Sequence, residues 1–207
     1  MNAIGILIMA AGRGERFRQA GGAGHKLNAR FPDAEGIPRS VFEHTLRQAL
    51  ATGLFVGVVT RTDNHEVRRM CERYATAVTL LDSDGLGDSI AAGVKAHPDL
   101  EGWLIHLADM PFVTADIFTR IAEELTRHEI VRPCYHEHPG HPVGFSAEMR
   151  EALCALKGDN GARPLLASVK VHCLQLNNDA TVMDIDLPVQ VPSASMAPLT
   201  APPVCAP

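Results

Sequence analysis

The chain has 207 residues, of which 46% are apolar and 21% charged, and its formal net charge is −5. Those values fit one globular domain with a sizeable core. They argue against a nucleic-acid backbone as partner, and no apolar run reaches the ~20 residues of a membrane span.

The N-terminus lacks the basic region of a secretory leader. A cytoplasmic, soluble protein is therefore expected. Its five cysteines form no C-x-x-C and no even framework, so scattered reduced thiols are expected. Ile4 to Met9 is short and aliphatic and predicts a buried strand. It runs into Ala10-Ala11-Gly12-Arg13-Gly14-Glu15-Arg16-Phe17. A glycine loop after a strand can offer backbone N–H groups to oxygen anions, and arginine grips phosphate in a bidentate fork. The dinucleotide pattern fails at Phe17, and the Walker pattern fails as well. On spacing alone, a tight turn with solvated arginines fits equally well. Lys26 lies just beyond, in a loop from Arg18 to Arg39 rich in Gly, Ala and Pro.

Ser40 and Glu43 form a capping-box pair opening a helix to Ala51. Phe55 to Thr60 reads as a second buried strand. Asp63 and Glu66 repeat the box before a helix to Tyr74. Val78 to Leu81 is a short strand. The turn Gly85-Leu86-Gly87-Asp88-Ser89 then opens a helix to Ala96, where amides and the Ser89 hydroxyl could meet a base, ribose or phosphate. A plain helix cap explains that turn as simply.

Trp103 to Leu107 predicts a strand ending at Asp109-Met110-Pro111. Asp109 and the glycine loop both fall at carboxyl ends of strands, where open parallel sheets bind ligands. A carboxylate beside a phosphate site calls for a cation, and Mg²⁺ is held by one or two carboxylates plus substrate phosphates. Thr114 can cap the next helix, to Arg127. Strands follow at 130–134 and 143–145, the second leading into a helix from Ala147.

His136, His138 and His141 cluster before the second of these strands. They read as a polar substrate-facing loop rather than a zinc site. Gly158 to Arg163 is a turn into a helix ending near Val169, and Arg163 in its first turn opposes the helix dipole. A last strand covers 171–176. Asp184 and Asp186 share one side if 183–187 is extended, and one of them could complete a metal site with Asp109. From Pro188 onward the chain is rich in Pro and Ala without a charged side chain, which predicts a flexible tail at 189–207. Alternating strands and helices predict an α/β fold with a mostly parallel sheet covered on both faces. No convincing nucleophile set appears.

Taken together, LIMAAGRGERF at 7–17, LADMPFV at 107–113, GHPVGF at 140–145, KGDNGARPLL at 157–166 and DIDLP at 184–188 resemble the MobA-like nucleotidyltransferase family. The likeness is to its molybdenum cofactor cytidylyltransferase branch, and it spans residues 4–188 in order. The resemblance implies a Rossmann-like three-layer α/β/α nucleotidyltransferase fold at 1–188. It implies CMP transfer from CTP to the phosphate of molybdopterin with release of pyrophosphate, and Mg²⁺ as cofactor. A molybdoenzyme or its chaperone would be a further partner.

Carried over by position, Ala10, Ala11, Gly12, Arg13 and Gly14 would form the nucleotide loop, and Arg16 and Lys26 would hold triphosphate oxygens. Gly85, Gly87 and Ser89 would lie near the nucleoside. Asp109 and Asp186 would ligate the metal, and His141 and Arg163 would face the acceptor. Rival readings are guanylyl transfer from GTP, another phosphate-bearing acceptor, a non-catalytic nucleotide-binding or cofactor-delivery module, and an NADPH-dependent oxidoreductase.

Overall fold

A computed structural model describes residues 3–83 and 85–192. Strand β1 (Ile4–Ala10) lies in the middle of an eight-stranded sheet. Its side chains alternate between two apolar layers. Ile6, Ile8 and Ala10 pack with Leu46, Val67 and Phe118 on one face. Leu7 and Met9 pack with Ile90, Val94 and Leu153 on the other. A strand buried on both faces must read as a continuous aliphatic run, which is what the sequence shows at 4–10.

After β1 come a short helix α1 (Glu15–Gln19), a 3-10 turn (Lys26–Asn28) and a two-stranded hairpin, β2 (Arg30–Pro32) and β3 (Pro38–Ser40). The stretch expected to be loop therefore carries local structure. Helix α2 (Val41–Leu50) follows, with Val41, Phe42, Thr45, Leu46 and Ala49 buried along one face. Ser40 caps it, its Oγ accepting from Glu43 N at 3.1 Å. The Glu43 carboxylate turns instead to Arg39 and to the Tyr74 hydroxyl, 2.9 and 2.8 Å away.

Strand β4 (Phe55–Thr60) pairs parallel with β1, and β5 (Ala77–Leu80) pairs parallel with β4. Helix α3 (His65–Arg73) joins them, and its cap is Asn64, not Asp63. The chain then crosses through α4 (Leu86–Ala96) to β6 (Gly102–Leu107), on the other side of β1. This reversal makes the carboxyl ends of β1 and β6 the switch point of the sheet, where α/β folds open a binding crevice.

Beyond β6 the pattern changes. Helix α5 (Ala115–Glu124) leads to β7 (Ile130–Tyr135), which turns back through β8 (His138–Pro139). Strand β9 (Val143–Ser146) then runs antiparallel between β6 and β7. Thr114 makes no side-chain cap at α5; the Ala115 N–H donates to Gln48 Oε1 at 3.1 Å. A 3-10 turn (Ala147–Met149), α6 (Arg150–Cys154) and α7 (Arg163–Ser168) precede the edge strand β10 (Val171–Gln175), which pairs parallel with β7.

That pairing brings Cys134 and Cys173 to a Cα separation of 5.8 Å, and the two form a disulfide. The expectation of reduced thiols throughout is corrected here, while Cys71 and Cys154 are free. Sequence spacing could not show the pair, because only strand register brings residues 39 apart into bonding range. Residues 188–190 form a 3-10 turn and Val191 packs against the core. The rest of the expected tail, 193–207, lies outside the described residues. Among the described residues no helix is long and apolar enough to cross a membrane.

Candidate functional site

A cleft of about 630 Å³ opens at the carboxyl ends of β1 and β6, within the usual range for small-molecule sites. Its floor is Met9 to Phe17 on one side and Leu107 to Asp109 on the other, with Lys26, Ser89 and Asp186 at its walls. Buried threonines fix both strand ends. Thr60 Oγ1 donates to Ala10 O, and Thr45 Oγ1 donates to Ala108 O.

The glycine loop is shaped by its own backbone and by two side chains. Gly14 sits at φ 63°, ψ 32°, a left-handed conformation that favours glycine. Arg18 Nη1 donates to Arg13 O at 2.6 Å. His25 reaches Gly12 O at 2.8 Å through Nε2, while its Nδ1 accepts from Leu27 N. That pair of contacts defines the tautomer, with the proton on Nε2. Burial holds the His25 imidazole below its ordinary pKa, opposed by the Gly12 bond and helped by the charges of Lys26 and Arg18. Trans peptide geometry turns the Arg13 and Gly14 N–H groups away from these two clamps. No sequence motif marked His25; its one signal is adjacency to Lys26.

The charged centre is assembled from three distant parts of the chain. Lys26 Nζ lies 2.5 Å from Asp109 Oδ2 and 2.6 Å from Asp186 Oδ1. Arg16 Nη1 reaches the other Asp186 oxygen at 2.6 Å. Asp184 joins them, so that Asp109, Asp184 and Asp186 each offer an oxygen within 4.8 Å of the others. The Ile185 N–H donates to Asp109 O and docks the 184–186 segment against the end of β6.

The electrostatics follow from this crowding. Burial and the Asp186 and Asp109 charges push the Asp184 carboxyl above its usual range. Burial pushes Asp186 the same way, but the Lys26 and Arg16 contacts outweigh it and hold Asp186 low. Burial likewise opposes the Lys26 charge, and the carboxylates of Asp109 and Asp186 overcome it, so Lys26 stays firmly protonated. Asp109 Oδ1 is buried and has no hydrogen-bond partner among the described residues. A buried, unpartnered carboxylate oxygen calls for a cation. Three convergent carboxylates, one with an unpartnered buried oxygen, fit a hard divalent ion.

The other expected site residues divide. Ala10, Ala11, Gly12, Arg13, Gly14 and Arg16 line the cleft, as does Ser89. Ser89 is buried and donates to Gly85 O at 3.1 Å. Gly85 and Gly87 face elsewhere. A Cβ on Gly87 would come within 2.8 Å of Lys157 O, and the Gly87 N–H donates to Gly158 O. Their smallness allows the 157–158 turn to pack on α4, and Leu86 rather than either glycine meets the cleft.

His141 is half-buried, follows Gly140 and precedes a cis bond to Pro142. Its backbone N–H donates to Thr181 O. Burial, with Arg132 nearby, takes its imidazole down to about 4. His136 and His138 are exposed on the β7–β8 turn, and the three histidines form no metal-ligating group among the described residues. Arg163 is exposed at the start of α7, away from the cleft lining.

A crevice at a sheet's switch point, with a glycine loop, cationic side chains and convergent carboxylates, defines an α/β protein that handles phosphorylated nucleotides. A model of the MobA-like NTP transferase domain matches residues 6–174, and the chain belongs to that family of nucleotidyltransferases.

The chain is 32% identical over 125 residues to a 2-C-methyl-D-erythritol 4-phosphate cytidylyltransferase of Shouchella clausii (strain KSM-K16), a match covering 57% of this chain and 51% of the relative. It thus spans about half the length of that curated relative. Among solved structures, Rv0371c of Mycobacterium tuberculosis H37Rv superposes with a TM-score of 0.77 at 24% identity, covering 92% of this chain and 96% of the other. A manganese complex of the same protein gives 0.66 at 24% identity, covering 84% and 89%. Molybdopterin-guanine dinucleotide biosynthesis protein A of Archaeoglobus fulgidus gives 0.63 at 16% identity, covering 90% and 94%. These superpositions establish the shared fold.

Proposed function

We propose that this chain transfers CMP from CTP to the terminal phosphate of molybdopterin and releases pyrophosphate, with Mg²⁺ as the working cation. The observation that carries the reading is the Lys26–Asp109–Asp186 centre facing the Ala10–Gly14 loop across one cleft. Cytidine as the base is supported by the Ala10-Ala11 doublet and by the cytidylyl activity named for the Shouchella relative.

In this reading the loop amides and Arg16 receive the triphosphate, and Ser89 lies toward the nucleoside. Asp109 and Asp186, with Asp184, would hold the divalent ion, and the manganese complex of the mycobacterial relative supports such a site. When bound, that ion supplies charge neutralisation on phosphate oxygens. Lys26 is the fixed cation of the unliganded cleft. Beside an ion that Asp109 and Asp186 would hold, the Lys26 ammonium would supply a further positive charge to the phosphates. An oxygen of the acceptor phosphate attacks the α-phosphorus, the bond to the β-phosphate oxygen breaks, and pyrophosphate leaves with that oxygen. An ionised phosphate oxygen needs no side chain to activate it, so positioning and neutralisation suffice. His141 and Arg163 are the proposed acceptor-side groups.

The Shouchella relative's activity favours a second reading, CMP transfer to a sugar or polyol phosphate. Thermal unfolding with CTP, GTP, ATP, UTP and NADPH, each with and without Mg²⁺, tests the nucleotide. A ligand at a hundredfold excess over its Kd adds about 2.7 kcal/mol of stability. A CTP-selective, Mg²⁺-enhanced rise is the expected result. Pyrophosphate release with molybdopterin, but not with 2-C-methyl-D-erythritol 4-phosphate, then fixes the acceptor. A rise with NADPH alone overturns the proposal, and a GTP-selective rise changes its product.

A further inference from the structure

Three polar atoms converge at the end of the sheet opposite the cleft. Glu124 ends α5, His128 lies in the turn that follows, and His172 is the second residue of β10. His128 Nε2 and His172 Nε2 lie 3.7 and 3.9 Å from the same oxygen, Glu124 Oε2. The two imidazoles stack with centroids 3.9 Å apart and planes 5° apart. The other Glu124 oxygen faces Arg127 Nη1 at 3.8 Å.

The two imidazole–carboxylate distances are too long for hydrogen bonds. They suit atoms that share an ion. Bonds of about 2.0–2.2 Å from one zinc to nitrogen and oxygen ligands set those ligands about 3.2–3.9 Å apart over tetrahedral to wide angles. All three ligand atoms lie within 4.8 Å of one another, and turning one imidazole out of the stack aims both ring nitrogens at a shared ion. Side-chain exposures of 27%, 37% and 36% for Glu124, His128 and His172 leave room for a water as fourth ligand.

We propose that Glu124, His128 and His172 form a second metal site, selective for zinc-class cations and separate from the carboxylate cleft. Two imidazole nitrogens favour Zn²⁺ over Mg²⁺, which keeps to oxygen ligands. The site ties the end of α5 to the edge strand β10, whose continuation carries Asp184 and Asp186 into the cleft. Its effect is to staple that edge, not to take part in phosphoryl chemistry.

The test is equilibrium dialysis of the full chain against Zn²⁺ with Mg²⁺ in large excess, followed by zinc-edge X-ray absorption. One zinc per chain with imidazole scattering is expected, and a rise in Tm on binding. His128→Gln combined with His172→Gln should abolish both the retained zinc and the rise in Tm, and Glu124→Gln should weaken retention at least tenfold. Asp109→Asn should leave zinc retention unchanged. Equal retention by the double histidine variant, or a shell of oxygen ligands alone, overturns the proposal. So does loss of zinc in Asp109→Asn. Should the double variant fail to fold, His128→Gln alone, in the turn after α5, gives the same reading.

Discussion

The two halves of the sheet build the cleft by different means. On one side β1, β4 and β5 run parallel and side by side, and the loop at 10–17 that follows β1 is shaped locally by Gly14, Arg18 and His25. From β7 to β10 the chain reverses through β8 and β9 and is tied by a disulfide before it delivers Asp184 and Asp186. One half presents a preformed cradle. The other closes the site through contacts as long as Arg16 to Asp186, 170 residues apart. Local structure therefore shapes the glycine loop, and global folding is needed to assemble the charged centre.

That contrast breaks most visibly at Asp109, where the halves meet. Asp109→Asn keeps the shape and removes the charge, and turnover should fall by about 10³-fold or more, the scale of losing a principal electrostatic group. Nucleotide binding to the loop should persist, so thermal shifts with triphosphate alone should survive. A variant that turns over within tenfold of the parent would remove Asp109 from the proposed chemistry.

Lys26 tests whether the resident ammonium is what holds the two halves together. It is partly buried between two carboxylates, and removing one partner of such a group leaves uncompensated charge. Lys26→Met should cost roughly 2–3 kcal/mol without metal, discounted for partial exposure, and about 10²-fold in turnover. Divalent cations should restore more stability to the variant than to the parent, because they then neutralise three carboxylates unaided. Equal metal effects on both proteins would contradict the shared position.

His25 probes the cradle itself. With His25→Ala, Gly12 O and Leu27 N lose their imidazole partner. The loop loosens, and KM for the nucleotide should rise about tenfold, near the 1.4 kcal/mol of one hydrogen bond to a positioned group, with kcat little changed. A fall in kcat at constant KM would assign the histidine to chemistry instead.

How far the sequence discloses this site follows the same division. The continuous aliphatic run Ile4–Met9 and the helical spacing Phe42-Leu46-Ala49 are local signals, so β1, α2 and the loop at 10–17 can be read directly, whereas the β2–β3 hairpin between them cannot. Asp109 can be found because it ends a strand. Asp184 and Asp186 are visible as an alternating pair, but their approach to Lys26 needs the tertiary fold. Lys26 lies in a stretch that reads as loop, and the 3-10 turn at 26–28 places it in the cleft. Gly85 and Gly87 have a packing role that the sequence does not show, since a Cβ on either would meet the 157–158 turn. Register, which determines the Cys134–Cys173 pair and the Glu124, His128 and His172 cluster, leaves no local trace.

The smallest expected effect sharpens the contrast through pH. His106 on β6 is fully buried, and burial, with His141 adding repulsion, takes its imidazole down to about 3. Its Nε2 meets Met110 O, and its Nδ1 has no partner among the described residues, so a second proton there would find no acceptor. The unfolded imidazole takes up its proton near pH 6.5, while the folded one stays neutral to about 3. Between those values the unfolded state binds more protons. Stability from this group is thus complete above 6.5 and falls as pH drops, by about 1.4 kcal/mol per pH unit for one proton. His141, held near 4, acts in the same direction, whereas Asp184, held high, works against it at the lower end. Urea unfolding at pH 7, 6 and 5 should show this slope, and His106→Gln should flatten it by about one proton while lowering stability at pH 7. A slope unchanged in the variant would assign the acid sensitivity to the other histidines that burial holds low, His25, His44, His97 and His141.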